Sequence, residues 1–183
     1  MNAYVSRAGE KLRFALDKFE INVNGLVIAD FGSSTGGFVD CLLQGGAEKI
    51  YSVDTAYGEL AWTLRNNSKV VVLERTNAMH VKLPEKVDLI TIDTSWTKQI
   101  LTIPNAIENL KPNGTIISLI KPHYEAPKNY LEKGKLKEEY VLEVIEKVRN
   151  DIVAVGGNVI KIIESPVLGE KGKNTEYLAL VKP

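Results

Sequence analysis

A glycine-rich turn stands directly after the first predicted strand of this 183-residue sequence. The strand ends at Asp30-Phe31 and runs into Gly32-Ser33-Ser34-Thr35-Gly36-Gly37-Phe38, where a helix is predicted to begin. Glycines let the backbone approach a ligand closely, and the first turn of a helix offers unpaired N–H donors to polar ligand atoms. The segment predicts a ligand site; the alternative is a tight turn that Asp30 caps.

Polar residues after the neighbouring strands indicate the class of ligand. Asp54 ends the second predicted strand, where an open α/β fold presents a carboxylate to ribose hydroxyls. NAD is disfavoured because Ser34 occupies the second glycine position of G-x-G-x-x-G. Asp30 suits an ammonium and a sulfonium, so we expect S-adenosylmethionine (SAM) and methyl transfer. Asn77, after the third strand, could meet the adenine or ribose, or could only form a turn.

Two further ionisable residues, Asp93 and Lys121, end the fourth and fifth predicted strands. Open α/β sheets bind ligands at the carboxyl ends of their strands, so both side chains should lie at the edge that holds the glycine turn. Taken singly, a Lys or Asp at a strand end is more often solvated surface.

The elements that position these residues follow from alternating apolar runs and amphipathic stretches, which are typical of a parallel sheet covered by helices on both faces. We predict an α/β fold with a seven-stranded, mostly parallel sheet, an antiparallel last strand and an extra N-terminal helix over 7–19. The segment 128–137 is predicted to be either a mobile flap or a solvated connection. The predicted strands are 26–31, 49–54, 70–73, 87–93, 114–121, 159–163 and 177–181, and the other predicted helices are 36–44, 58–66, 98–109 and one containing Val141 to Val148.

Composition narrows the class of protein. A content of 44% hydrophobic and 25% charged residues is that of a soluble globular chain, and we expect one domain over 1–183 with 1–22 as its helical extension. With 23 basic and 23 acidic residues, only a local patch could attract a polyanion. The lone Cys41 and the separated His80 and His123 predict no metal site. The absence of a long apolar run or signal sequence predicts a cytoplasmic protein.

Several multi-residue motifs run in order along the chain. They are Ser6-Arg7-Ala8-Gly9-Glu10-Lys11-Leu12, the turn 32–41, and the segments 53–62, 73–77, 87–95, 120–126, 165–167 and 174–176. Together they resemble the FtsJ-like RNA methyltransferases, and within them the TlyA, or haemolysin A, type. The resemblance implies a Rossmann-like class I methyltransferase fold and SAM-dependent 2′-O-methylation of a cytidine in ribosomal RNA.

The resemblance also implies a Lys-Asp-Lys-Glu tetrad, which matches Lys11, Asp93, Lys121 and Glu176 here. Such a group would act on the proton of a ribose hydroxyl. Lys121 could be the base, or it could remain charged and stabilise the developing alkoxide. Departures from the family pattern fall at Ala8, where a second glycine is usual, at Trp96, where Phe is common, and in Lys173-Asn174-Thr175-Glu176, which is slightly altered around the tetrad glutamate.

Recognition of RNA is expected to rest on a local basic rim or on a partner, because the resemblance covers only the catalytic domain and not the small RNA-binding domain with which relatives usually begin. The expected substrate is ribosomal RNA or a ribosomal subunit. The alternatives are a methyltransferase acting on a small molecule and a non-catalytic SAM- or RNA-binding protein, including a membrane-active haemolysin. The candidate rim residues are Arg7, Lys11, Lys18, Lys128, Lys133, Lys135, Lys171 and Lys173.

Overall fold

A single mixed sheet of seven strands organises the computed structural model, which describes residues 3–169 and 173–183. In chain order the strands of the sheet are β1 (Val27–Phe31), β2 (Lys49–Val53), β3 (Val70–Leu73), β4 (Val87–Ile92), β5 (Leu110–Ile120), β8 (Asn158–Glu164) and β9 (Tyr177–Lys182). Two short strands, β6 (Leu131–Glu132) and β7 (Lys135–Leu136), form a separate hairpin.

The order across the sheet is β3-β2-β1-β4-β5-β9-β8. Strands β1 to β5 are parallel, whereas β9 runs antiparallel between β5 and β8. The predicted mostly parallel sheet with an antiparallel last strand is therefore confirmed. Strand β5 begins four residues earlier than predicted, since Leu110 already pairs with Val87 and a register shift between Val87 and Leu89 absorbs the Pro-Asn-Gly run as a bulge.

Helices cover both faces of the sheet. They are α1 (Ala8–Phe19), α2 (Gly37–Gln44), α3 (Trp62–Arg65), α4 (Gln99–Asn109), α5 (Pro122–Glu125) and α6 (Val141–Ala154). One buried cluster includes Leu12, Leu16 and Phe38 from α1 and α2, and the other includes Ile103 and Val148 from α4 and α6. No helix among the described residues has the length and apolarity needed to cross a membrane.

The predicted helix over 58–66 is wrong in extent. Only Trp62–Arg65 is helical, because Gly58 has a φ of 79° and Ala61 has a non-helical ψ of 137°. The segment 128–137, predicted as a mobile flap or a solvated connection, contains a 3-10 turn at Lys128–Tyr130 and the β6–β7 hairpin, which the sequence analysis did not predict. Strands of two residues are too short to show alternation of polar and apolar side chains in a sequence.

The start of α1 packs closely on the start of α2. A Cβ atom at Gly37 would lie 2.9 Å from the Cβ of Ala8 and 2.9 Å from the backbone nitrogen of Gly9, so the two helices can approach only with glycine there. This contact fixes the first turn of α1 beside the glycine turn that follows β1.

We expect Leu16→Ala to destabilise the protein by about 2–5 kcal/mol, because Leu16 is fully buried and its truncation leaves a cavity between α1 and the sheet. Leu142→Ala is the matched control, since Leu142 is 79% exposed and its loss should change stability by less than about 0.5 kcal/mol. Denaturant unfolding measures both. Equal effects would show that α1 is not part of the core.

Candidate active site

The glycine turn brings the carboxyl ends of β1, β2 and β4 together. Gly32 has a φ of 88°, and a Cβ atom there would lie 2.6 Å from the carbonyl oxygen of Asp93, directly after β4. Ser34 has a φ of 48° and donates its backbone N–H to Asp54 Oδ2 at 2.7 Å, directly after β2. The turn after β1 thus contacts both Asp54 and Asp93, the acidic residues that follow β2 and β4, the two strands on either side of β1.

A cavity of about 420 Å³, here called the Asp54 cavity, lies on one side of the turn. Asp54 accepts backbone hydrogen bonds from Ser34 and from Ala56, the latter at 2.8 Å on Oδ1. Each carboxylate oxygen has a second lone pair, so the fixed carboxylate can still accept bonds from ligand hydroxyls. Asn77 also lines this cavity, while its side-chain oxygen accepts the Met79 N–H at 2.9 Å. The turn-forming role of Asn77 is thus present in the structure, and its contact with the adenine or ribose stays a prediction.

A second cavity of about 350 Å³, here called the lysine cavity, lies on the other side of the turn. Lys11, Asp93, Lys121 and Glu176 all line it. Lys11 Nζ lies 2.5 Å from Glu176 Oε2, and Lys121 Nζ lies 2.5 Å from Asp93 Oδ1. The Lys11 and Glu176 side chains are only 10% and 4% exposed. The structure thus brings the four predicted residues together as two ion pairs.

The two cavities share a wall. Its residues are Gly32, Ser34, Asp93, Ser95 and Trp96, which line both spaces. A ligand in the Asp54 cavity and a second molecule in the lysine cavity would therefore meet at Asp93.

Four different elements deliver the ion pairs to one edge of the sheet. Lys11 comes from the first turns of α1, while Asp93 and Lys121 directly follow β4 and β5. Glu176 directly precedes β9, which is antiparallel, so that Tyr177 pairs with Ile120 at the end of β5. An antiparallel strand begins where its parallel neighbours end, and this places Glu176 opposite Lys11.

Asp30 lies beneath this edge rather than in either cavity. It is fully buried, and Thr91 Oγ1 donates a hydrogen bond to its Oδ1 at 2.6 Å. Burial raises the pKa of the Asp30 carboxyl to about 7, so the fixed negative charge on which its predicted role depends is only partial at neutral pH. Among the described residues, its Oδ2 has no hydrogen-bond partner.

Of the remaining residues predicted to bind the cofactor, some line a cavity and one only shapes the backbone of the turn. Ser33, Thr35, Gly37 and Phe38 line the lysine cavity, and Phe38 also belongs to the buried core. Gly36 lines neither cavity; its φ of 100° and the contact that a Cβ atom would make with Leu60 show that it shapes the entry to α2.

Sequence reasoning missed an aromatic group at the mouth of the lysine cavity. Trp96 is 76% exposed, has a φ of 63° and lies 4.5 Å from the Tyr124 ring, measured between centroids. The His123 ring contacts the Tyr124 ring in a tilted arrangement, with 4.1 Å between the centroids. Burial, and then the Lys121 charge, lower the pKa of His123. Trp96 follows Asp93 by three residues, and this closeness to a predicted catalytic residue is the signal that could have identified it.

A buried polar network under Lys121 was also missed. Glu125 Oε1 accepts the backbone N–H of Gln99 at 2.8 Å at the start of α4, and Ser118 Oγ donates to Gln99 Oε1 at 2.5 Å. Burial raises the pKa of Glu125. The network ties α5 to the end of β5 and so limits the movement of Lys121 between them.

Comparisons with known proteins agree with this geometry. The FtsJ-like methyltransferase family matches residues 4–182. The Bacillus subtilis protein YqxC is 38% identical over 96% of this chain and 64% of its own length, and the Mycobacterium tuberculosis 16S/23S rRNA (cytidine-2′-O)-methyltransferase TlyA is 37% identical over 96% and 67%. The chain thus spans about two thirds of the length of these relatives.

A solved structure from Streptococcus thermophilus that carries the hemolysin name superposes with a TM-score of 0.94 at 32% identity, covering 99% of this chain and 67% of that one. Fold, motif order and overall similarity agree. The chain belongs to the FtsJ-like methyltransferase family, in the branch that contains the TlyA proteins.

Proposed function

We propose that this chain is a SAM-dependent methyltransferase that methylates the ribose 2′-hydroxyl of a cytidine in ribosomal RNA. The observation that supports it most directly is the meeting of Lys11, Asp93, Lys121 and Glu176 in one cavity that borders the Asp54 cavity. Family membership and a relative named as a cytidine-2′-O-methyltransferase support the same substrate class.

The Asp54 cavity fits SAM in size and in chemistry. Its volume of about 420 Å³ lies within the range of small-ligand pockets. We assign Asp54 to the ribose hydroxyls and Asn77 to the adenosine end, with Gly32 and Ser34 on the path to the lysine cavity. When bound, SAM supplies an electrophilic methyl group on a sulfonium. Asp30 lies beneath the turn, so we assign it no direct contact with SAM.

The lysine cavity would receive the ribose hydroxyl. Lys121, held by Asp93 and by a 3.3 Å hydrogen bond to Ser95 Oγ, is placed to act on the hydroxyl oxygen or its proton. Lys11 adds a second cation that Glu176 holds. Orientation of the hydroxyl by these pairs could contribute at most about 7–11 kcal/mol.

The proposed contact with RNA is a basic rim beside this cavity. Lys128, Lys133 and Lys135 are exposed on the segment that follows α5, and Lys173 is exposed on the segment that precedes β9. Lys11 is buried in its ion pair and is therefore not part of the rim. Arg7, directly before α1, and Lys18, in its last turn, are also exposed. Lys171 lies outside the described residues. Exposed lysines bind phosphates without reading sequence, so the rim would position an RNA rather than select it.

The function is tested by labelled methyl transfer from SAM to total ribosomal RNA and to separate ribosomal subunits from cells that lack the modification. We expect label on a cytidine ribose, located by nuclease mapping and by resistance of the adjacent bond to alkali. Label on a base, or on small molecules only, would contradict the proposal.

The donor site is tested by Asp54→Ala and Lys11→Ala. We expect Asp54→Ala to weaken SAM binding by about 10- to 100-fold, the effect of losing hydrogen bonds to a charged group. Lys11→Ala should leave SAM affinity nearly unchanged, because Lys11 lines only the lysine cavity. Isothermal titration measures both, and an equal loss in the two variants would show that the roles are misassigned.

Lys121→Ala should lower the single-turnover rate of methyl transfer by about 10²- to 10⁴-fold while SAM affinity is retained, because its amine acts at the hydroxyl. Lys111→Ala is the matched control, since Lys111 lies in β5, the strand that Lys121 directly follows, and also forms an ion pair, at 2.8 Å from Asp88. The pH dependence of the wild-type rate identifies the role of Lys121. A rate that rises as lysine loses its proton indicates a base, and a rate that falls indicates a charge stabiliser.

A further inference from the structure

Asn174 joins two parts of the chain beside the lysine cavity. Its side chain is 3% exposed, and its Nδ2 donates to the carbonyl of Gly134 at 3.2 Å while its Oδ1 accepts the N–H of Leu136 at 3.1 Å. Both partners belong to the β6–β7 hairpin. Asn174 thus bonds the turn and the second strand of the hairpin to the segment that precedes β9.

The segment bonded in this way surrounds Glu176. The carbonyl of Asn174 accepts the N–H of Gly169 at 2.9 Å, and a Cβ atom at Gly169 would lie 2.6 Å from Glu176 Oε1. The carbonyl of Glu176 in turn accepts the Ser165 N–H at 2.9 Å. Val167 lines the lysine cavity itself. A shift of Asn174 would therefore move the groups that hold the Glu176 carboxylate against Lys11.

The hairpin presents lysine at a strained position. Lys133 and Gly134 form its two-residue turn with φ values of 49° and 79°, a turn geometry that favours Asn and Gly. Lys173, next to Asn174, has a φ of 49° as well. Both lysines are exposed. Backbone strain of about 1–3 kcal/mol at non-glycine residues tends to occur at binding and switching sites.

The hairpin also borders the other ion pair. Strand β7 packs against α5, the short helix that directly follows Lys121. The hairpin thus lies between the segment after Lys121 and the segment before Glu176. Asn174, in the latter segment, makes its side-chain hydrogen bonds to the hairpin.

We infer that Asn174 is a positioning residue: it clasps the β6–β7 hairpin to the Glu176 segment, so that RNA phosphates held by Lys133 and Lys173 set the Glu176–Lys11 pair for reaction. The inference rests on the proposed function. It assigns the hairpin to the RNA strand that flanks the target nucleotide, and it makes the clasp, not the lysines, responsible for the rate of the bound complex.

The test compares Asn174→Ala, Lys133→Ala and the control Asn158→Ala, which alters an exposed Asn at the opposite end of the sheet. Methyl transfer is followed in single turnover over a range of ribosomal-subunit concentrations. We expect Asn174→Ala to lower the saturated rate by about 10- to 100-fold, the effect of a small misplacement of catalytic groups. Lys133→Ala should raise the half-saturating concentration and keep the saturated rate. Asn158→Ala should change neither.

Hydrogen exchange on the free protein provides a readout that does not depend on RNA. In Asn174→Ala the Leu136 amide, which loses its acceptor, should exchange faster, while the Leu178 amide in β9 should stay protected. Loss of protection at both sites would show a general folding role and overturn the inference.

The remaining outcomes separate the inference from the function on which it rests. The inference alone is overturned if the wild type is active and Asn174→Ala is equally active although its Leu136 amide exchanges faster. A wild type that methylates no ribose overturns the proposed function, and the inference with it.

Discussion

Two ion pairs in one cavity, one buried and one partly buried, are the interaction on which the rest of the structure depends. A lysine such as Lys11 is rarely buried, because removing an ammonium from water costs several kcal/mol unless a carboxylate and hydrogen bonds compensate. Glu176 provides that compensation from the far end of the chain, and Asp93 does so for Lys121. Removing one member would leave its partner as an uncompensated charge, at a cost of about 3–5 kcal/mol for a fully buried pair. Each pair therefore requires the elements of both its members.

The fold meets this requirement through backbone contacts that side chains would prevent. Gly37 lets α1 approach α2 closely enough to turn Lys11 into the cavity, and Gly32 lets β1 approach the carbonyl of Asp93. The antiparallel insertion of β9 beside β5 then brings Glu176 to the same edge. The same glycine turn that makes this approach possible also holds Asp54 through the Ser34 amide, so the proposed donor site and the proposed catalytic site are built on one backbone segment.

The sequence predicted most of this architecture for identifiable reasons. Buried parallel strands appear as apolar runs, and the stripe of Leu12, Ala15 and Leu16 gave α1 to within a residue. The tetrad came from motif resemblance, since nothing in spacing alone brings Lys11 to Glu176. Features that depend on tertiary context were missed: α3 is shortened by the backbone at Gly58 and Ala61, and the β6–β7 hairpin has strands too short for a pattern. The complete burial of Asp30, which raises the pKa of its carboxyl and so lowers its average negative charge, also depends on packing and could not be predicted from its position in the sequence.

A crystal structure of this protein with S-adenosylhomocysteine bound is the most direct test of the central claim, that two ion pairs meet beside the donor site. The account predicts the ribose hydroxyls on Asp54, the sulfur at the wall that the two cavities share, and both Lys11–Glu176 and Lys121–Asp93 in contact. A ligand outside the Asp54 cavity, or a Lys11 separated from Glu176, would contradict it.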